Sequence, residues 1–107
     1  MMRKRFFKTR DDVEVTFEVA ADGIRSAALV TDRHDWQPQP MARSGRGKGP
    51  FRIKVRYPRD EHVQFRYLLD GSRWENDEAA DAYWPNPLGS DNSVLFTTTT
   101  TTATTTT

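Results

Sequence analysis

The sequence contains no cysteine, which excludes disulfide bonds, a thiolate nucleophile and a cysteine-ligated zinc site. No apolar run approaches the length of a membrane span, and the basic start MMRKRFFKTR lacks the longer apolar stretch of a signal peptide. The net charge of +1 gives no global attraction to nucleic acid or to acidic lipid. These absences predict a cytoplasmic protein that folds by burial alone and has no membrane or nucleic-acid partner.

Helical periodicity is also absent, because no stretch of ten or more residues repeats its apolar positions with a convincing helical period. Four segments instead have the pattern of half-buried strands, with apolar residues at every second position. A short fifth strand is predicted to begin at Trp74, and a last strand to cover Asn92 to Phe96. With 107 residues, 36% of them hydrophobic, the chain is sufficient for one small domain. The four segments are 13–19, 26–30, 51–57 and 63–69.

Several short strands separated by Gly, Pro, Asn and Asp predict an all-β sandwich. Asp70 and Gly71 follow the fourth segment and can adopt the positive φ angles that a tight hairpin turn requires. The ten threonines and one alanine at the end cannot bury enough surface to offset the entropy of ordering, although Thr97 or Thr98 is expected to finish the last strand. The predicted organisation is a basic arm over 1–10, a sandwich over 11–96 and a disordered tail over 97–107.

Charge is distributed unevenly, since the first ten residues carry five cations and no acid, whereas residues 70–91 carry six acids against Arg73 alone. These segments are either solvated, or they pair with each other within or between molecules. The segment 37–50 is rich in Pro, Gly and Arg and is predicted to be a mobile connector. Its alternative role as a phosphate-contacting patch predicts strongly salt-dependent nucleic-acid binding, but no aromatic residue interleaves with its charges.

Three sequence blocks carry a family resemblance: LVTDRHDW at 29–36, VQFRYLLDGSRWEND from residue 63, and PNPLGSDNSVLF ending at residue 96. In this order they resemble carbohydrate-binding module family 48, the isoamylase N-terminal or early-set domains. They are also similar to the glycogen-binding domain of the AMP-activated kinase beta subunit. The resemblance covers residues 11–96. It implies an immunoglobulin-like early-set β-sandwich that binds glycogen, starch or maltooligosaccharides, without catalysis and without a cofactor.

The resemblance also implies the binding residues. Trp36 and Trp74 match the tryptophans that stack on glucose rings, Arg66 and Asn92 match residues that bond sugar hydroxyls, and Leu88 matches a leucine that wedges against the sugar. The residue chemistry is appropriate, because the apolar face of a pyranose packs on an aromatic ring while its hydroxyls need polar partners. Structural alternatives remain open for all five: an edge or core tryptophan, a surface arginine, and residues at a turn or at the start of a strand.

The first block departs from the family pattern, with Thr31 in place of a glycine and with Arg33 and His34 in place of Phe-Asn. This departure supports an alternative function, a protein-interaction module that keeps the sandwich with a degenerate sugar site. Its partner would be a glycan-metabolising enzyme, another protein or a second copy of the chain. Trp84 lies outside the matched motif and either extends an aromatic platform or packs against the neighbouring prolines.

The acids near the fifth strand have two interpretations, a catalytic role and an ordinary role as turn acids. Glu75 and Asp77 share one strand face, at a spacing of about 6–7 Å that overlaps the range of inverting glycosidases. A hydrolase also needs a cleft around the scissile bond, which a small sandwich rarely encloses. The two histidines, His34 and His62, do not have the spacing of metal ligands. The sequence therefore predicts no enzyme and no metal site.

Overall fold

The computed structural model describes residues 1–7, 11–43, 47 and 49–98. These residues form two antiparallel sheets that pack as a sandwich, and the part of the chain that is described contains no α-helix. A short 3₁₀ turn, Asp32–His34, follows the third strand. The strands are β1 (Met2–Phe6), β2 (Asp12–Val19), β3 (Ala27–Thr31), β4 (Gln39–Pro40), β5 (Ala42–Arg43), β6 (Phe51–Pro58), β7 (His62–Leu69), β8 (Arg73–Glu75), β9 (Ala82–Pro85) and β10 (Asp91–Phe96).

The two sheets are built mainly from strands that are distant in the sequence. Sheet A has the order β1-β2-β6-β5. Sheet B has the order β4-β3-β7-β10-β9, and the short strand β8 also pairs with β7. The prediction of an all-β fold is confirmed, and the architecture is consistent with the immunoglobulin-like type of sandwich. None of the described segments forms a helix with the length and apolar character needed to cross a membrane.

The core lies between the sheets and follows the alternation of the sequence. Val13, Val15 and Phe17 of β2 are completely buried, as are Val63 and Phe65 of β7. The intervening residues of both strands are half-buried or exposed, which is what a period of two produces when one sheet face meets the core. The strands predicted from 13–19, 51–57 and 63–69 are therefore confirmed, as is the strand in 26–30 with its ends moved by one residue.

The N-terminal segment differs from the predicted arm, because Met2–Phe6 forms β1 and pairs with β2 along its whole length. Met2 and Phe6 pack against the core, whereas the alternate positions Arg3 and Arg5 are exposed. The structure thus extends the sandwich upstream of residue 11. The remainder of the predicted arm, 8–10, lies outside the described residues.

Part of the charge asymmetry is neutralised within the molecule. Lys4 forms an ion pair with Asp81, and the Met1 ammonium lies 2.8 Å from an Asp77 carboxylate oxygen. Of the two interpretations of the basic and acidic segments, intramolecular pairing is therefore correct for these residues. The rest of the basic segment includes residues that the structure does not describe, as does the Arg-Gly stretch within 37–50.

The last strand ends at Phe96, as predicted for 92–96 and one residue before Thr97, the first of the two threonines expected to finish it. Thr97 is nevertheless completely buried. Its hydroxyl donates to the Pro58 carbonyl at 2.7 Å and accepts from the Glu61 backbone N–H at 2.9 Å. Its side chain therefore anchors the end of β10 to the β6–β7 turn. The prediction of a disordered tail concerns mainly residues 99–107, which lie outside the described residues.

Candidate functional site

Sheet B has one face toward the core and a second face that points away from sheet A. On β7 the core-facing residues alternate with residues whose side chains point to the second face and are only partly buried or exposed. Pairing extends this face to the neighbouring strands, because directly paired residues have side chains on the same face of a sheet. Leu68 pairs with Trp74, and Asn92 pairs with Trp84. The outer face of sheet B therefore includes Gln64, Arg66, Leu68, Trp74, Trp84 and Asn92.

A tight hairpin turn presents Trp74 on this face. Asp70 and Gly71 have φ angles of 53° and 71°, so the predicted turn with positive φ values is confirmed. The Asp70 carboxylate Oδ1 also accepts the backbone N–H groups of Arg25 and Ser26, at 2.7 and 3.1 Å. These bonds tie the turn to the residues before β3 and fix where β8 begins.

Trp74 and Arg66 are in direct contact. The Arg66 Cζ atom lies 5.7 Å from the centroid of the Trp74 ring, which is a cation–π distance. The indole remains 47% exposed, so much of its surface is available to a ligand. The Arg66 Nε atom is buried, and no described residue accepts its proton. The pair thus presents a flat apolar surface beside a cluster of directional hydrogen-bond donors.

A chain of amide hydrogen bonds continues from β7 to the β9–β10 turn. Asn92 Nδ2 donates to Gln64 Oε1 at 3.1 Å, and Asn86 Nδ2 donates to Asn92 Oδ1 at 3.1 Å. The Leu88 backbone N–H donates to Asn86 Oδ1 at 2.8 Å. Asn92 is consequently buried and has both amide atoms in internal bonds, whereas the Leu88 side chain is 89% exposed.

Trp36 stands apart from this chain of contacts. It follows the 3₁₀ turn with a left-handed φ of 56°, and its N–H donates to the Thr31 carbonyl at 2.8 Å. Thr31 of β3 pairs with Phe65 of β7. Trp74 of β8 pairs with Leu68 of β7, along the edge of β7 opposite to β3. Three residues along a strand correspond to about 10 Å. Four of the five predicted residues thus lie on or beside the outer face of sheet B, in two separate groups of contacts, the Trp74–Arg66 pair and the chain from Asn92 to Leu88. Trp36, 43% exposed, lies on the other flank of β7.

Gln64 and Trp84 of the outer face, and Asn86 of the β9–β10 turn, were not among the predicted site residues. Gln64 carried a signal, since it shares the outward parity of Arg66, and Asn86 lies in a recognisable Asn-Pro turn sequence. Trp84, whose role the sequence left open, lies with its ring centroid 4.8 Å from that of His62 and 6.2 Å from that of Phe96. Its position beside Asn92 follows from strand pairing and has no local sequence signal.

Asp77 is one of the two acids of the hypothetical catalytic pair, and its surroundings give it a structural role. It is 1% exposed, and its carboxylate accepts the Tyr67 hydroxyl at 2.7 Å and the Ala79 N–H at 2.8 Å. Glu75, at the end of β8, is exposed. Burial raises the pKa of Asp77, but bonds from the Met1 ammonium, Tyr67 and Ala79 outweigh it and the pKa is lowered overall. The carboxylate therefore acts as a buried hydrogen-bond acceptor beside β8.

The comparisons with known proteins add no family assignment. No protein-family model matches this chain, and no curated protein matches it. Within the described ranges, no group of three or more His, Asp or Glu side chains is arranged to hold a metal ion. The outer face of sheet B and the sequence resemblance are therefore the two features that indicate a function.

Acid is expected to destabilise the protein by titrating Asp70 and Asp77, which bracket β8. Backbone N–H bonds from Arg25 and Ser26 lower the pKa of Asp70, so both carboxyls have a pKa below the ordinary value of 3.8. Their stabilising contribution is complete above that ordinary value and is lost as the pH falls through the lower folded-state pKa.

We therefore expect a lower thermal midpoint at about pH 3 than at about pH 6, as measured by circular dichroism. Asp70→Asn keeps the oxygen that accepts the two N–H bonds but cannot titrate. This matched variant should show a shallower acid-induced decline. Identical midpoints across the pH range would contradict the assignment of these carboxylates.

Proposed function

We propose that this domain is a non-catalytic α-glucan-binding module whose ligand lies on the outer face of sheet B. The observation that carries the proposal is the Trp74–Arg66 pair, an indole about half exposed with a guanidinium 5.7 Å from its centroid. A glucose ring can stack its C–H face on such an indole while its hydroxyls accept from the adjacent guanidinium. The ligand class is glycogen, starch or a maltooligosaccharide.

The amide chain supplies further polar groups for the same ligand. Gln64 uses Oε1 to accept from Asn92, which leaves its Nε2 group to donate to a sugar hydroxyl. Asn92 therefore acts by orienting Gln64 and by receiving Asn86, in place of the direct sugar contact that the resemblance implies. Leu88, at the tip of the β9–β10 turn and 89% exposed, has an apolar side chain available to pack against a sugar.

Trp36 provides the second stacking surface in this proposal. A non-glycine residue in the left-handed region has a conformational cost of about 1–2 kcal/mol, and such strain is concentrated at functional sites. Here the strained residue carries an indole that is 43% exposed. An oligosaccharide in contact with Trp36 and Trp74 would have to cross β7, and Arg66 lies on the strand between them.

The test is a titration of intrinsic tryptophan fluorescence with maltoheptaose and β-cyclodextrin. We expect saturable binding by the unmodified protein, a loss of affinity of at least about tenfold in Trp74→Ala, and partial retention in Trp74→Phe. Lys54→Ala, on the exposed face of sheet A, serves as the matched control and should bind normally. Sugar stacking should persist at high salt, whereas binding of a nucleic acid would weaken steeply.

Absence of any fluorescence change at millimolar sugar, together with no retention on immobilised glycogen, would contradict the proposal. A Trp74→Ala protein that remains folded and binds as well as the unmodified protein would contradict the location of the site. The first result would favour the alternative function, a sandwich that docks on a glycan-metabolising enzyme or another protein.

A further inference from the structure

Trp84 occupies a position on the outer face of sheet B that the proposed site does not use. It belongs to β9, the last strand of the sheet B order, and pairs directly with Asn92 of β10. Since paired residues share a face, its indole lies on the same side of the sheet as Arg66 and Trp74. The ring is only half-buried, although tryptophan is a large apolar residue.

The core between the two sheets does not account for this tryptophan. The buried side chains that form the core come from the opposite face of sheet B and from sheet A. Trp84 instead has the rings of His62 and Phe96 beside it, at interplanar angles of 65° and 59°. Packing against both rings holds the indole in a defined orientation, so the ring is preorganised as a platform.

The spacing relates this platform to the proposed sugar site. Strand β9 lies two strand spacings from β7, or about 10 Å, because β10 pairs with both. The Trp84 ring lies beside His62 at the start of β7, whereas Trp74 is level with Leu68, six residues further along that strand. The hydrogen-bonded amides of Gln64 and Asn92 occupy the outer face between the two strands. Polar groups thus lie between two aromatic surfaces, an arrangement that suits a chain of successive sugar rings.

We propose that Trp84 is an additional stacking position for the same glucan, which extends the site from β7 across β10 to β9 and gives the domain a preference for longer chains. This inference rests on the proposed function. A ligand of two or three glucose units would be held by the Trp74–Arg66 pair alone. A longer chain would also reach Trp84, and the extra contact would raise its affinity.

The test compares the affinities of maltotriose and maltoheptaose for the unmodified protein and for Trp84→Ala. We expect Trp84→Ala to lose about tenfold in affinity for maltoheptaose and less than about twofold for maltotriose. Trp84→Leu keeps an apolar side chain against His62 and Phe96 but has no flat ring, so it should show the same selective loss with better folding. Trp84→Tyr should restore much of the affinity for the long ligand. Thermal midpoints establish that each variant is folded.

The outcomes separate this inference from the proposal on which it rests. If the unmodified protein binds maltoheptaose in a Trp74-dependent manner and Trp84→Leu binds it equally well, the inference is overturned and the proposed function stands. An equal loss for both ligands would also overturn it, because the effect would not depend on chain length. No binding of either sugar by the unmodified protein would overturn both.

Discussion

Phe65→Ala is expected to lower the free energy of unfolding by about 4 kcal/mol, the typical loss for a large aromatic side chain removed from a core. Phe65 is completely buried at the middle of β7, which has β3 on one side and β10 on the other. Its ring meets those of Phe17 and Tyr67 edge-on, with centroids 5.1 and 5.7 Å apart. Its removal leaves a cavity at the contact between the two sheets. Urea denaturation followed by circular dichroism measures the loss.

Two variants make this expectation specific. Phe65→Leu retains most of the side-chain volume and should cost about 1–2 kcal/mol. Lys54→Ala changes an exposed residue on the outer face of sheet A and should cost less than about 1 kcal/mol, since it leaves the core intact. A loss in Phe65→Ala as small as that in Lys54→Ala would contradict the placement of β7 at the centre of the sandwich.

Asp77→Ala is expected to lower the free energy of unfolding by about 3 kcal/mol, because it leaves buried donors without their acceptor. The Tyr67 hydroxyl, the Ala79 N–H and the Met1 ammonium all donate to this carboxylate. Tyr67 is itself 3% exposed, so water cannot readily replace the lost bond. The same burial, together with Asp77, raises the pKa of the Tyr67 phenol.

The measurement for Asp77 combines stability with ligand binding. Asp77 follows β8 by two residues, so its loss should also loosen Trp74 and weaken the proposed glucan binding under conditions where the protein is folded. The double variant Asp77→Ala, Tyr67→Phe removes one donor together with the acceptor and should recover part of the stability. Unchanged stability in Asp77→Ala, or no recovery in the double variant, would contradict a buried hydrogen-bonded role.

Alternation of apolar and polar residues was sufficient to predict β2, β6 and β7, because each is eight residues long and has one face on the core. Strand β1 was missed because Lys4 stands between its two inward apolar residues, and the ion pair with Asp81 that accommodates this lysine is distant in sequence. Strands β4 and β5 have two residues each, which is too short for any period to appear.

The parts of the site that depend on residues close together in the sequence could be predicted. The Asp70-Gly71 turn and the outward parity of Arg66 both follow from neighbouring residues. The burial of Asn92 was not predictable, because it results from β10 lying beside β7 and from a bond to Gln64, 28 positions earlier in the chain. The alignment of Trp84 with Asn92 likewise depends on a pairing between strands that no local pattern encodes.

The order of the strands also has a consequence for self-association. Strands β1 and β5 end sheet A, and β4 and β9 end sheet B, so their unpaired backbone groups are where a further strand would add. Strand β1 exposes two arginines there, β5 is only two residues long, and β4 and β9 contain Pro40 and Pro85, which have no N–H to donate. The sheet that carries Trp74 and Trp84 is thus bounded by strands that resist edge-to-edge aggregation.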